Sequence, residues 1–431
     1  MSGPSFLRRL LSGKPEGLDR HTRDLVGLCD ALLAERAEFA GAALAREALL
    51  AYQRLDPRCR EEFFDVLARA YSPSPEVVGS AADAYRADPS PANLMHLQHT
   101  VEPARQELFR RLNMAAGGTA TLVEMRRRLL ESMAEKTQWR AIDADLLHLL
   151  RSWFNRGFLR LERIDWRTSA IVLEKLIQYE AVHAIQGWRD LRRRLEADRR
   201  CFAFFHPQLP DEPIIFIEVA LTRGMSARVQ PLLDFQAPLA SPEGADCAMF
   251  YSITNCQEGL RGISFGNLLI KQVAEELKRE FPHLRRFATL SPAPGFRRWL
   301  AEAKVPAEKG GDLLRRLDDP AWHLGEIPET LERLLTRLCA CYLMHAKQGL
   351  EPLDPVARFH LANGASLDRL NWMGDTSEQG MSRSAGLMVN YVYWLAEVER
   401  NHDQYFREHI VVASPQAEKL AREGAAALSQ Q

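Results

Sequence analysis

Net charge is almost absent from this sequence: 56 lysines and arginines stand against 57 aspartates and glutamates, for −1 overall. No global basic field exists to hold nucleic acid, so an anionic ligand has to be held by local cations. Cysteine is sparse and odd in number, seven in 431 residues, with no Cys-x-x-Cys pair. That is a poor disulfide framework and a poor zinc site, and it points to reduced intracellular thiols. No run of about 18 apolar residues occurs, and the start, Met-Ser-Gly-Pro-Ser-Phe-Leu-Arg-Arg-Leu-Leu, lacks an apolar stretch of signal-peptide length. The last residues, Ala427-Leu428-Ser429-Gln430-Gln431, do not spell a peroxisomal address. Internal repeats are missing, and apart from an Ala-rich tail so are low-complexity tracts. No cluster of His, Asp and Glu has the spacing of metal ligands, so no metal is expected. A cytoplasmic enzyme or binding protein remains, with neither membrane nor nucleic acid as partner.

What is present is ordinary for a soluble globular protein, 46% hydrophobic and 26% charged. At roughly 150 residues per domain the length suggests about three domains, a prior that stretches to two. The chain changes character near residue 200. From about 18 to 200 the apolar residues recur at spacings of three and four, as in Leu25, Leu28, Leu32 and Leu33, or Leu122, Met125, Leu129 and Met133, the signature of amphipathic helices. Breaks fall at Asp56-Pro57, Ser72-Pro73-Ser74-Pro75, Asp88-Pro89-Ser90-Pro91 and Gly117-Gly118. Ordinary helix lengths then give about seven or eight helices. The arginine-rich run Arg189, Arg192, Arg193, Arg194, Arg199 and Arg200 is interleaved with Asp190, Glu196 and Asp198 and reads as a solvated helix face.

After residue 200 the pattern is mixed. Stretches at 201–206, 214–221 and 249–253 are dense in Phe, Ile and Val and read as strands. A helix is expected at 267–281, a short strand at 286–290, helices at 328–347 and 395–409, and a strand at 387–394. The fold class is therefore α+β and helix-rich: an all-α N-terminal bundle over 1–198 and a mixed α/β domain over 199–431.

Three stretches carry chemistry. The first, Arg261-Gly262-Ile263-Ser264-Phe265-Gly266-Asn267, lies between an expected strand and an expected helix. Its glycines allow close backbone approach, and the first amides of a following helix are unpaired donors at the positive end of its dipole. That suits a phosphate or pyrophosphate, with Arg261 as local cation, although such a turn is often only a turn. It has neither the Lys-Ser/Thr of a P-loop nor the spacing of a dinucleotide fingerprint. The same residues contain a literal G-x-S-x-G, which raises a hydrolase using Ser264, but a nucleophile elbow needs its serine at the very end of a strand. The second stretch, Thr289-Leu290-Ser291-Pro292-Ala293-Pro294-Gly295-Phe296, places a serine at a strand end before a stiff loop that can hold its hydroxyl in one orientation; a turn or capping serine ahead of the helix carrying Trp299 is the reading the residues alone favour. The third, Phe359-His360-Leu361-Ala362-Asn363-Gly364-Ala365, with Asn371-Trp372 and Asn390-Tyr391 downstream, sets a histidine beside turn-forming residues, where it can meet a ligand or serve structure alone.

Taken together these stretches resemble the malonyl-CoA decarboxylase family. The matching runs are Phe250-Tyr251-Ser252-Ile253-Thr254-Asn255-Cys256-Gln257-Glu258-Gly259-Leu260-Arg261-Gly262, then Leu268-Leu269-Ile270-Lys271, Thr289 to Phe296, and His360 to Ala365 with Asn371-Trp372 and Asn390-Tyr391. The resemblance implies a helical N-terminal domain used in assembly of a homo-oligomer, with a tetramer favoured. It also implies a C-terminal catalytic domain of GNAT-type acyltransferase fold, acting on malonyl-CoA in fatty acid metabolism. Ser291 and His360 fall on the family's catalytic serine and histidine, and 261–267 on the loop that grips the CoA pyrophosphate. No metal or redox cofactor is implied, the CoA thioester being the substrate. Some family members carry a glutamate where this chain has Ser264, so no role of that carboxylate carries over. Tyr391 and Tyr393 are expected in the pocket wall. A CoA-dependent acyltransferase on the same fold and a serine hydrolase at Ser264 are the alternatives.

Overall fold

The computed structural model describes residues 17–263 and 269–428. The described residues divide into two compact units. One gathers 17–159 with two short excursions, 206–212 and 257–263; the other takes 160–205, 213–256 and 269–428.

The first unit is helical. Eight α-helices run from Arg20–Ala34 to Arg140–Trp153, and two more, Ala170–Tyr179 and Trp188–Arg194 in the second unit, precede residue 200. The proline-rich breaks seen in the sequence are helix starts. Asp56, Ser74 and Ser90 each accept a backbone N–H of the first turn, and each is followed by proline at the first helical position. The apolar faces meet in a core that includes Leu25, Cys29, Phe63, Phe64, Leu108 and Leu122. The excursion after residue 256 is anchored in this unit by the buried Arg126, whose Nη1 donates to the carbonyls of Gly259 and Arg261, both at 2.8 Å.

The second unit is built on an eight-stranded sheet. Its strands are β1 Arg160–Ile164, β2 Arg199–Phe205, β3 Pro213–Thr222, β4 Cys247–Asn255, β5 Arg286–Thr289, β6 Ser291–Pro292, β9 Ser366–Asn371 and β10 Met388–Val392; a separate two-residue hairpin, β7 Lys347–Gln348 and β8 Glu351–Pro352, lies between β6 and β9 in the chain. The order is β1-β2-β3-β4-β5-β10-β6, with β9 also paired to β10. Every described pairing in it is antiparallel except β4 with β5. Strands β2 and β3 are buried along nearly their whole length, because a core covers each face. On one face Val172, Leu176 and Leu191 pack with Ala203 and Phe216, and further along the same face Val229 and Leu232 pack with Met249, Ala288 and Met388; on the other face Phe202, Phe204, Ile215 and Ile217 are buried. Continuous rather than alternating Phe, Ile and Val is the result.

Two expectations need correction. The span to residue 200 is not wholly helical: Arg-Leu-Glu-Arg-Ile forms β1, whose register along β2 runs from Arg160 opposite Phe205 to Ile164 opposite Cys201. Its charges suit an edge strand that must not recruit another chain, and they hide it from apolar periodicity. The arginine run is not a solvated face either. Arg189 and Arg192 are exposed, but Arg193, Arg194, Arg199 and Arg200 are buried. Arg193 pairs with Asp198 at 2.6 Å, Arg194 with Asp190 at 2.9 Å and Glu218 at 2.8 Å, and Arg200 with Glu280 at 2.7 Å. The interleaved Asp190 and Asp198, joined by Glu218 and Glu280 from distant parts of the chain, make that burial tolerable.

Candidate active site

Strands β4 and β5 run side by side for only four residue pairs, from Cys247 with Arg286 to Phe250 with Thr289. Leu290 N–H still donates to Phe250 O at 2.9 Å. Beyond it β4 continues along β3 to Asn255, while the chain leaving β5 turns into β6 against β10. A ligand site beyond the carboxyl ends of parallel strands is a recurrent arrangement. Here that opening holds a cavity of about 260 Å³ whose wall includes Phe250, Ser252, Leu290, Ser291, Val356 and His360. None of the described residues lining it is lysine, arginine, aspartate or glutamate.

Ser291 and His360, 69 positions apart, meet in this wall: Oγ lies 2.9 Å from Nε2, and both side chains are buried. Ser291 Oγ donates its hydrogen to Thr289 Oγ1 at 2.9 Å. The lone pairs left to it then face Nε2, which assigns the ring hydrogen to Nε2 and makes Nδ1 an acceptor for the Tyr393 hydroxyl at 2.8 Å. Burial pushes the pKa of His360 down to about 3, so the ring is neutral. Tyr391 stacks on the ring with centroids 4.7 Å apart. Neither tyrosine is among the residues lining the cavity, contrary to expectation; both stand behind the histidine and fix its plane.

The backbone explains this placement. His360 sits in the last turn of the helix Pro355–Ala362, not in a turn, and Asp354 caps that helix by accepting the N–H groups of Val356 and Ala357, each at 2.9 Å. The helix ends at Gly364 with φ +83°, where a Cβ would lie 2.1 Å from Val398 O. Asn401 and His402 then hold the turn by donating to the carbonyls of Gly364 and Ala362. On the other side Asn390, fully buried, donates to Thr289 O at 2.7 Å and accepts from Asn371 at 2.9 Å. Thr289 Oγ1 also accepts the Tyr391 N–H at 3.2 Å. Thr289, Asp354 and Tyr393 were not singled out from sequence as partners of this pair. Only the Asn-Tyr-Val-Tyr run gave a signal, by alternating polar side chains along a strand.

The remaining candidates lie elsewhere. Arg261, Gly262 and Ile263 belong to the first unit: the Arg261 side chain is 63% exposed and 3.9 Å from Glu258, Gly262 has φ +81°, and Ile263 is buried. Ser264, Phe265, Gly266 and Asn267 lie outside the described residues. Among the described residues no group of three or more His, Cys, Asp or Glu side chains is arranged to hold a metal ion, and no helix is long and apolar enough to cross a membrane.

Comparison with known proteins follows the same division. Residues 157–431 match the model for the malonyl-CoA decarboxylase C-terminal domain, and residues 71–154 that for the malonyl-CoA decarboxylase N-terminal domain. A mitochondrial malonyl-CoA decarboxylase of Rattus norvegicus is 38% identical over 351 residues, 74% of this chain and 71% of the relative. Crystal structures of malonyl-CoA decarboxylases from Rhodopseudomonas palustris and Agrobacterium vitis are each 47% identical and cover 92% of this chain and 99% of theirs, with TM-scores of 0.89 and 0.86.

Proposed function

This chain belongs to the malonyl-CoA decarboxylase family, and on that premise we propose that Ser291 and His360 carry out the reaction. The enzyme is a carboxy-lyase that converts malonyl-CoA to acetyl-CoA and CO₂. The observation that supports the assignment is the 2.9 Å contact between Ser291 Oγ and His360 Nε2 in the wall of a cavity whose described lining holds no lysine, arginine, aspartate or glutamate.

The bond from the carboxylate carbon to C2 breaks, its electron pair passes into the thioester as an enolate, and C2 takes up one proton. A carboxylate entering a site whose described lining holds no lysine, arginine, aspartate or glutamate exchanges strong hydration for weak contacts, whereas departing CO₂ needs neither. Ser291 contacts and orients that carboxylate, and its oxygen accepts the hydrogen bond from Nε2–H. The carboxylate's negative charge raises the pKa of the adjacent imidazole, so His360 draws a proton from solvent as the substrate binds. After C–C cleavage His360 donates that proton to C2 and returns to neutral. One proton enters and one is consumed, and no metal or redox cofactor is called for. The CoA pyrophosphate is held by Arg261, Gly262, Ile263, Ser264, Phe265, Gly266 and Asn267, a reading supported by the positive φ of Gly262 and the exposed Arg261.

Incubation of the purified protein with malonyl-CoA, with CO₂ and acetyl-CoA both measured, gives the baseline. Ser291→Ala and His360→Asn are expected to lower kcat by about 10²- to 10⁴-fold with unchanged circular dichroism. Near-normal turnover in either removes that residue from the mechanism.

The N-terminal part, 1–198, serves assembly of a homo-oligomer, a tetramer, and 199–431 serves catalysis. Exposed apolar side chains in the first unit, Phe39 and Met95 on helices and Met114 just past the end of another, support an assembly role. Light scattering of the native protein is expected to give four chains, and a monomer would refute it. A cytoplasmic location is supported by thiols that are all buried rather than bridged.

A further inference from the structure

We infer that Asp354 is a positioning residue that sets the Ser291–His360 distance by tying the two segments bearing them to one buried carboxylate. The inference rests on the assignment of that pair as catalytic. Asp354 is fully buried. Its Oδ1 accepts the Val356 and Ala357 N–H groups at 2.9 Å each, which fixes the start of the helix that ends in His360. Its Oδ2 accepts the Tyr342 hydroxyl at 3.1 Å and lies against Gly295, where a Cβ would fall 3.8 Å from it.

Gly295 closes the loop Ser291-Pro292-Ala293-Pro294-Gly295. Two prolines with fixed φ make that loop a stiff link from the carboxylate back to the serine. The link is close-packed at Gly295, where a Cβ would fall 2.2 Å from Tyr342 Oη. Tyr342 stands on the helix Glu329–His345 with its ring against Trp299 and Phe296 at centroid distances of 5.2 and 5.9 Å. A short helix on one side and a proline-stiffened loop on the other thus lead from a single carboxylate to the two reacting side chains. Asp354 lies outside the cavity wall, so it acts through geometry and not by touching substrate.

Asp354→Asn separates the two jobs of the carboxylate. The amide oxygen still caps the helix, but an NH₂ group replaces Oδ2, so the Tyr342 hydroxyl has to turn from donor to acceptor at the point where it packs against Gly295. Loss of alignment at the reacting atoms is expected to lower kcat about 10- to 100-fold, with KM for malonyl-CoA held within about twofold because binding itself is untouched. In a Ser291→Ala background the same change is expected to cost less than about twofold further, since the pair it aligns is already broken. The inference is overturned if Asp354→Asn folds and keeps its kcat, if the loss lies in KM, or if the cost is the same in both backgrounds. Should Asp354→Asn fail to fold, Tyr342→Phe decides: a lower kcat at unchanged KM supports the inference, and an unchanged kcat refutes it. Normal turnover in Ser291→Ala alone refutes the catalytic assignment instead, which keeps the two failures apart.

Discussion

His360 is held neutral by its surroundings, with its pKa pushed down to about 3 by burial against an ordinary value near 6.5. The unfolded chain therefore binds more protons than the folded one between those values. Stability from this group is fully present above about pH 6.5 and is lost as pH falls toward 3, by roughly 1.4 kcal/mol per pH unit. Replacing His360 by Gln is expected to flatten that acid slope, which denaturant unfolding at pH 7, 5 and 4 will measure; an identical slope in both proteins would mean the buried ring is not the group that titrates. Ser291 was legible as a candidate because a strand end followed by Pro-Ala-Pro-Gly is unusual chemistry at a short range. Its pairing with His360 was not, because the two are 69 positions apart and no local pattern encodes such a contact.

Among elements, the turn after the His360 helix is the most exacting. Gly364→Ala would put a methyl group into the carbonyl of Val398 and force φ +83° on a residue with a Cβ. A loss of about 2 kcal/mol or more in stability is expected, with a proportionate shift in thermal melting and reduced turnover at moderate temperature; a melting curve equal to that of the parent would show the turn to be yielding. The buried strands β2, β3 and β4 were readable as dense Phe, Ile and Val runs. β1 and β9 were not, since Arg-Leu-Glu-Arg-Ile and Ser-Leu-Asp-Arg-Leu-Asn carry charges that find partners only in three dimensions. The helix Pro355–Ala362 was missed because its eight residues are too few for periodicity to show, and the Asn-Gly that ends it reads as a loop.

For the whole molecule, the seven cysteines offer a global probe, since every one is buried. A thiol reagent is expected to modify none of them in the native protein and all seven after denaturation; rapid reaction of any one under native conditions would reveal local opening around it. Near-neutral composition and the helical-then-mixed grammar were legible at this scale, and so was the α+β class. The paired charges inside the second unit were not, because burial of an ion pair depends on which carboxylates the fold brings to it. One consequence concerns the order of events in folding. Strand β10 lies between β5 and β9, and its Asn390 reaches back 101 residues to Thr289. Contacts so distant in sequence form slowly, while the local helices of the first unit form early. Turnover is therefore a property of the last step of folding, and a nascent chain that has not yet emerged past Tyr393 possesses most of its secondary structure but no site.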